Sequence, residues 1–144
     1  MSSREQRRLS RPVDGSLSAA LARRNILIAH GWILEAFERF YSDDVIVTWP
    51  DGTSLSGKRA NRERLHQLLG GLKSFHARVF ASSIDVDKDL SSSEWILMLD
   101  QQQSGLTTVH RLTEQRWENG RIVEESLRST RRAKEKSWDM ESES

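Results

Sequence analysis

Residues 41–71 read YSDDVIVTWPDGTSLSGKRANRERLHQLLGG, and this stretch decides the fold more than any other part of the chain. Val45 to Trp49 is β-branched or aromatic at every position, which is typical of a buried strand. Pro50 cannot donate a hydrogen bond within a sheet, and Asp51-Gly52 is a strong turn signal. Thr53 to Leu55 can return as a short strand. The stretch therefore predicts a strand that ends in a sharp turn.

The second half of the stretch predicts an amphipathic helix that begins near Lys58. Four leucines fall at helical spacing on one face, and they are Leu65, Leu68, Leu69 and Leu72. Gly70-Gly71 provides a suitable stop. Strand, turn and helix would together form one wall and one end of a cavity.

The rest of the chain predicts two helices before this stretch and long strands after it. Helical spacing of apolar residues predicts helices over 16–30 and 32–41, with 42–44 as the turn into the first strand. Four further strands are predicted over residues 75–86, 94–103, 106–118 and 121–130. Asn119-Gly120 is the strongest hairpin signal in the sequence. The fold class is therefore α+β, with three helices packed on one side of a strongly curved, mostly antiparallel sheet.

The length of 144 residues indicates one domain, which we place at residues 14–130. Residues 1–13 form a basic arm that we expect to be disordered, and residues 131–144 a charged tail that we expect to be flexible. The chain has a net charge of +1. Residues 1–12 carry four arginines and one glutamate, and residues 131–144 carry four basic and four acidic side chains. Residues 13–130 therefore have a net charge of −2, which argues against a nucleic-acid partner.

Several classes of protein are disfavoured by what the sequence lacks. There is no cysteine, so neither a disulfide framework nor a thiolate metal site can form. The four histidines show no i, i+4 pair, and we expect no metal site. No apolar run approaches the ~20 residues that span a bilayer, and the N-terminus lacks the apolar segment of a secretion signal. We therefore expect a cytoplasmic protein with no membrane partner.

Three motifs, in this order, resemble the nuclear transport factor 2-like superfamily and its SnoaL-like and ketosteroid-isomerase-like branch. They are FYSDDV at 40–45 followed by Trp49-Pro50, then SGK at 56–58 with Ala60, and RWENGRIVE at 116–124. The resemblance covers roughly residues 16–130 and implies a cone-shaped half-barrel. Proteins of this fold include isomerases, dehydratases, cyclases, hydrolases and non-catalytic binding modules, so the fold alone does not give the function.

The residues that perform steroid isomerisation in this branch are not retained. The general base of such proteins is an aspartate just before the proline that ends the first strand, and here that position is Trp49. The two oxyanion donors, a tyrosine and an aspartic acid, correspond to Asn25 and Thr113. The resemblance therefore implies that this mechanism is absent, and whether the chain is an enzyme stays open.

A face of the predicted cone carries the candidate ligand-binding residues. If Thr113 points inward as its counterpart does, the two-residue period of a strand places Arg111 and Trp117 on the same face. On the last strand, the inward face would carry Val123, Glu125, Leu127 and Ser129. The predicted ligand-binding residues are Phe37, Trp49, Trp95, Leu97, Leu99, Thr113, Trp117 and Leu127. Their apolar and aromatic character is typical of a small-molecule pocket with few polar groups.

Glu125 and Arg111 are the candidate catalytic residues on this face. Glu125 could act as general base or acid, with Arg111 as its charge partner or as a clamp for an anionic or carbonyl oxygen. Alternatively, the two form a buried ion pair that only neutralises both charges. A third alternative is that a one-residue slip or a bulge reverses the inside and outside of the strand.

Two functional hypotheses follow, and the volume of the cavity distinguishes them. In the first, the domain binds a small, largely apolar or aromatic ligand in the cone, with any isomerase, cyclase or lyase activity being cofactor-free. In the second, it is a non-catalytic dimeric module whose cone is filled by its own tryptophans. In both, we expect a homodimer through the outer sheet face, because His110 and Leu112 lie on an otherwise polar strand.

Overall fold

The computed structural model describes residues 16–130, where the chain forms three helices and six strands. The helices are α1 (Leu17–Ala29), α2 (Ile33–Phe40) and α3 (Lys58–Gly70). The strands are β1 (Tyr41–Thr48), β2 (Ser54–Ser56), β3 (Leu72–Asp85), β4 (Leu90–Gln101), β5 (Gly105–Glu118) and β6 (Arg121–Ser129). The predicted arm at 1–13 and tail at 131–144 lie outside the described residues.

The six strands form one sheet in the order β2-β1-β6-β5-β4-β3. All neighbouring strands are antiparallel except β1 and β6, which are parallel. α1 contacts α2 and β3, and α3 contacts β1 and β2. We call the face of the sheet that the helices cover the inner face, and the opposite one the outer face. The predicted α+β class, with three helices on a mostly antiparallel sheet, is confirmed.

The hydrophobic core lies between the helices and the inner face near β1 and β6. Val45 and Val47 of β1, Ile122 of β6 and Phe37 and Phe40 of α2 are all buried. The end of α2 is also tied to α3, because the Lys58 ammonium donates to the backbone carbonyl oxygens of Glu38 and Tyr41, each at 2.8 Å. These carbonyls lie at a helix end, where backbone acceptors need such donors.

The turn predicted at residues 42–44 was wrong, because β1 begins at Tyr41 directly after α2. Tyr41 lies opposite Ile122, but Ile46 lies opposite Glu124, so the two strands are out of register between these pairs. A β-bulge of this kind accommodates extra residues and bends the strand. The chain can therefore change direction inside β1 without a separate turn.

The start of β4 was predicted four residues too late. Ser91 and Ser93 belong to the strand and are buried on its inner face. Their hydroxyls bond to Gln115 and Asn25, respectively. A run of serines has the composition of a turn, but here side chains distant in sequence satisfy the buried hydroxyls.

The β5–β6 hairpin has the predicted turn, with φ of 53° at Asn119 and 77° at Gly120. Two-residue hairpin turns favour this pair because both positions need positive φ. The predicted inward position of Val123 was wrong, because a register shift leaves it without a partner between Ile122 and Glu124. Ile122 takes the inward position instead and is fully buried.

Candidate functional site

The helices and the inner face of the sheet enclose a cavity of about 420 Å³. This lies in the usual size range of small-molecule pockets, ~300–1,000 Å³. Helical residues on its wall include Ile28, Phe37, Leu65, Leu68 and Leu69, and strand residues include Phe75, Trp95, Leu97, Leu99 and Leu127. The predicted leucine face of α3 thus borders the cavity. Most of the wall is apolar, so the cavity favours an apolar occupant.

Seven of the eight predicted ligand-binding residues lie on the wall of this cavity, namely Phe37, Trp49, Trp95, Leu97, Leu99, Thr113 and Leu127. The eighth, Trp117, does not border it. Strand alternation places Trp117 on the inner face, but two residues beyond Gln115 it packs in the hydrophobic core. Its indole Nε1 donates to Ser91 Oγ at 2.9 Å.

The carboxylate of Glu125 lies at the inner wall of the cavity and is only 6% exposed. Its Oε2 accepts hydrogen bonds from Arg24 and from Gln115 Nε2, the latter at 2.8 Å. Its Oε1 accepts from the Tyr41 hydroxyl at 2.7 Å. Arg24 also donates to the Tyr41 oxygen at 2.7 Å and to Asn25 Oδ1 at 2.9 Å. The negative charge of Glu125 is therefore compensated by Arg24, and both of its carboxylate oxygens accept hydrogen bonds.

Burial and neighbouring charges shift the pKa values of Tyr41 and Arg24 in this cluster. Burial raises the pKa of Tyr41, and the negative charge of Glu125 adds to that effect, so the hydroxyl keeps its proton and donates a hydrogen bond to the carboxylate. Burial alone would lower the pKa of Arg24, but Tyr41 and Glu125 raise it above its ordinary value. The cluster is thus a charged pair of Arg24 and Glu125 bridged by a neutral phenol.

The polar network continues along the inner face on both sides of Glu125. On one side, Ser91 Oγ donates to Gln115 Oε1 at 2.6 Å. On the other, Asn25 Nδ2 donates to Ser93 Oγ at 3.0 Å. Thr113 Oγ1 accepts from Trp95 Nε1 at 3.2 Å and bonds to the Ser93 carbonyl oxygen at 3.4 Å. Asn25 and Thr113, which the sequence resemblance aligns with the oxyanion donors of ketosteroid-isomerase-like proteins, both take part in this network.

The predicted pairing of Arg111 with Glu125 was wrong. Arg111 lies opposite Ser129 in the ladder, whereas Gln115 lies opposite Glu125. Arg111 and Gln115 are four residue steps apart, which corresponds to about 13 Å along the strand at ~3.3 Å per residue. The counterion of Glu125 comes instead from Arg24 on α1. Strand phase could not show this, because it says nothing about the helix packed above the sheet.

Arg111 lines the cavity without a counterion. Its side chain forms no hydrogen bond or ion pair among residues 16–130, and its Nε atom is buried without a partner. Burial lowers the pKa of its guanidinium. The side chain therefore presents an unneutralised positive group to the cavity wall.

Trp49 is fixed at the edge of the cavity by polar contacts on both sides of its ring. Its Nε1 donates to Asn61 Oδ1 at 3.0 Å, and Asn61 is fully buried and also bonds to two backbone carbonyls. The Arg64 guanidinium lies 4.9 Å from the centre of the ring and pairs with Asp51 at 3.2 Å. These contacts hold the Trp49 ring in place, and the ring forms an apolar part of the cavity wall. An indole is not a general acid or base.

The cluster around Arg24 and Tyr41 was missed from the sequence, although a signal was present. Leu17, Leu21, Arg24 and Ile28 are spaced as one helical face, and Arg24 interrupts an otherwise apolar stripe. A charged residue in that position indicates a buried partner elsewhere in the fold. The sequence alone did not identify the partner, because Glu125 lies 101 residues away.

The fold is similar to the α+β cone fold of solved nuclear transport factor 2-like and SnoaL-like proteins, the fold that the sequence motifs predicted. A protein of unknown function from Burkholderia pseudomallei with this fold superposes with a TM-score of 0.70 at 12% identity, over 83% of this chain and 95% of its own. A proposed SnoaL-like polyketide cyclase from Jannaschia superposes with a TM-score of 0.67 at 11% identity, over 79% of this chain and 88% of its own. IdmH, a proposed polyketide cyclase from Streptomyces antibioticus, superposes with a TM-score of 0.64 at 17% identity, over 80% of this chain and 92% of its own.

At these identities the likeness shows the fold alone. No protein-family model matches the chain, and no curated protein matches it. Within residues 16–130, no helix is long and apolar enough to cross a membrane, and no three acidic or histidine side chains are grouped as metal ligands.

Proposed function

We propose that this domain binds a small, largely apolar organic molecule in the cavity between its helices and its sheet. The observation that carries the proposal is the cavity itself, about 420 Å³ in volume and walled by leucine, phenylalanine and tryptophan side chains. The alternative hypothesis requires tryptophan side chains to fill the cone. Trp49 and Trp95 instead border the cavity, and Trp117 lies in the hydrophobic core. This supports ligand binding over a cone filled by the chain itself.

A cofactor-free isomerase, cyclase or lyase activity would have few side chains on the cavity wall that could act as general acid or base. Glu125 is held by Arg24, Tyr41 and Gln115, so its hydrogen-bonding capacity is largely used by the protein. A general base needs a free lone pair within reach of the substrate proton. We therefore propose that Glu125 positions the walls of the cavity, and that binding is the primary activity of the site.

A cavity-filling variant tests this proposal. Leu99→Trp adds a large side chain to the cavity wall, whereas Leu106→Trp adds the same side chain to a residue that is 71% exposed. With neutral 2-naphthamide as the probe, calorimetry should detect binding to the wild type and to Leu106→Trp. Leu99→Trp should weaken binding about tenfold or more, because the probe and the indole compete for the same volume. Equal binding by all three proteins would contradict the proposal.

We further propose that the protein is a homodimer through the outer face of its sheet. Phe80, Met98 and Leu106 are 51%, 43% and 71% exposed, and the first two lie on neighbouring strands of that face. His110, predicted to lie in this interface, is already buried and packs edge-on against Phe80 with ring centres 6.2 Å apart. Exposed apolar side chains grouped on one face favour association.

A further inference from the structure

Three arginines line the cavity, and two of them have counterions on its wall. Arg24 pairs with Glu125, and Arg64 pairs with Asp51. Arg111 has no such partner among residues 16–130. The charged side chains that line the cavity therefore sum to one uncompensated positive charge.

Arg111 is half-buried, and its Nε is buried without a partner, so this cation loses part of its hydration with no counterion to compensate. An anion that enters the cavity beside it would supply that compensation. Guanidinium has a planar array of donors that matches a carboxylate, often with two parallel hydrogen bonds. The charge balance thus points to a ligand with one negative charge.

We propose that the ligand of this cavity is an organic monocarboxylate whose carboxylate lies against Arg111 and whose apolar body lies against Leu97 and Leu99. The inference rests on the proposed function, since it specifies the ligand of the same cavity. Arg111 lies opposite Trp95 on β4, which places an aromatic wall beside the positive group.

Neighbouring polar groups cannot take over this role. The Thr113 hydroxyl, two residues along β5, already bonds to Trp95 Nε1 and to the Ser93 carbonyl oxygen. The Glu125 carboxylate would repel an anion, and the four-residue separation of Arg111 from Gln115 along the strand keeps the proposed site away from it. Arg111 is therefore the group that selects charge.

A matched pair of probes tests the inference, because 2-naphthoate and 2-naphthamide have nearly the same shape and differ in charge. Calorimetry should show that the wild type binds 2-naphthoate about tenfold or more tightly than 2-naphthamide. In Arg111→Met this preference should disappear, while binding of 2-naphthamide stays. Arg111→Gln provides a second neutral variant with a polar side chain and should give the same loss.

Arg128→Met is the matched control, since Arg128 lies on the same hairpin but pairs with Glu114 on the outer face at 2.8 Å. It removes the same charge and should keep the preference for 2-naphthoate. A preference lost equally in Arg128→Met, or absent in the wild type, would overturn the inference while leaving the cavity as a binding site. Binding of neither probe to the wild type would overturn the proposed function together with the inference.

Discussion

Tyr41 is the only tyrosine of the chain, and its hydroxyl lies between the buried side chains of Arg24 and Glu125. Absorbance of tyrosinate near 295 nm therefore reports on this one group. Its pKa is raised above its ordinary value, first by burial and then by the charge of Glu125. A free tyrosine ionises at about pH 10.

We expect the folded protein to show no tyrosinate absorbance as the pH passes about 10, where an exposed tyrosine would be half ionised. Because the folded pKa is raised, the stability that this hydroxyl contributes is complete below the unfolded pKa and is lost as the pH rises above it. Tyrosinate should therefore appear only when circular dichroism shows unfolding. Tyr41→Phe supplies the baseline for tryptophan absorbance. Ionisation centred near pH 10 in a folded protein would contradict the position of this hydroxyl.

The ion pair of Arg24 and Glu125 connects three elements, since Arg24 belongs to α1, Tyr41 to β1 and Glu125 to β6. Removing one partner of a buried pair leaves the other charge uncompensated, which typically costs ~3–5 kcal/mol. We expect Arg24→Met and Glu125→Gln each to lower the free energy of unfolding by an amount of this order. The measurement is denaturation by urea at neutral pH.

The double variant Arg24→Met/Glu125→Gln should lose less stability than the sum of the two single variants, because no charge is left unpaired. Arg111→Met is the comparison within the same cavity, and it should not lower the stability, since Arg111 has no counterion among the described residues. Strict additivity in the double variant would mean that the two side chains are not partners in solution.

Helices and strands could be predicted from the sequence where one local pattern was enough to indicate them. The leucine spacing gave α3, Asn119-Gly120 gave the last hairpin, and the β-branched run ending at Trp49 gave most of β1. Errors arose where distant contacts override local composition. The serines of β4 resemble a turn until their partners Gln115 and Asn25 are known, and the bulge at Val123 has no local signal.

The same distinction applies to the candidate site. The resemblance placed Thr113 on the inner face, and alternation with a two-residue period then placed Glu125 and Leu127 on the same face. All three border the cavity. The partner of Glu125 could not be predicted, because it depends on how α1 packs over the sheet. Charge pairing in this cavity is therefore a property of the tertiary structure.

At the scale of the whole molecule, the proposed dimer assembles through the outer face of the sheet. We expect light scattering at micromolar concentration, where stable interfaces normally hold, to give the mass of a dimer. Phe80→Glu places a charge among the exposed apolar side chains of this face and should give a monomer. Ile26→Glu is the control, since Ile26 is also exposed but lies on α1. A monomeric wild type would contradict the proposed dimer.

We propose different roles for the two faces of the sheet, with the inner face binding a ligand and the outer face binding a second copy of the chain. Leucine methyl groups distinguish them, because Leu97, Leu99 and Leu127 border the cavity while Leu106 is exposed. A bound probe must therefore lie near one set and far from the other.

The most direct measurement is an isotope-filtered nuclear Overhauser experiment on the labelled protein with unlabelled 2-naphthoate. We expect contacts from the naphthalene protons to the methyl groups of Leu97, Leu99 and Leu127. Contacts confined to Leu106 and Met98, or none with the cavity leucines at a saturating probe concentration, would contradict the claim that this protein binds its ligand inside the cone.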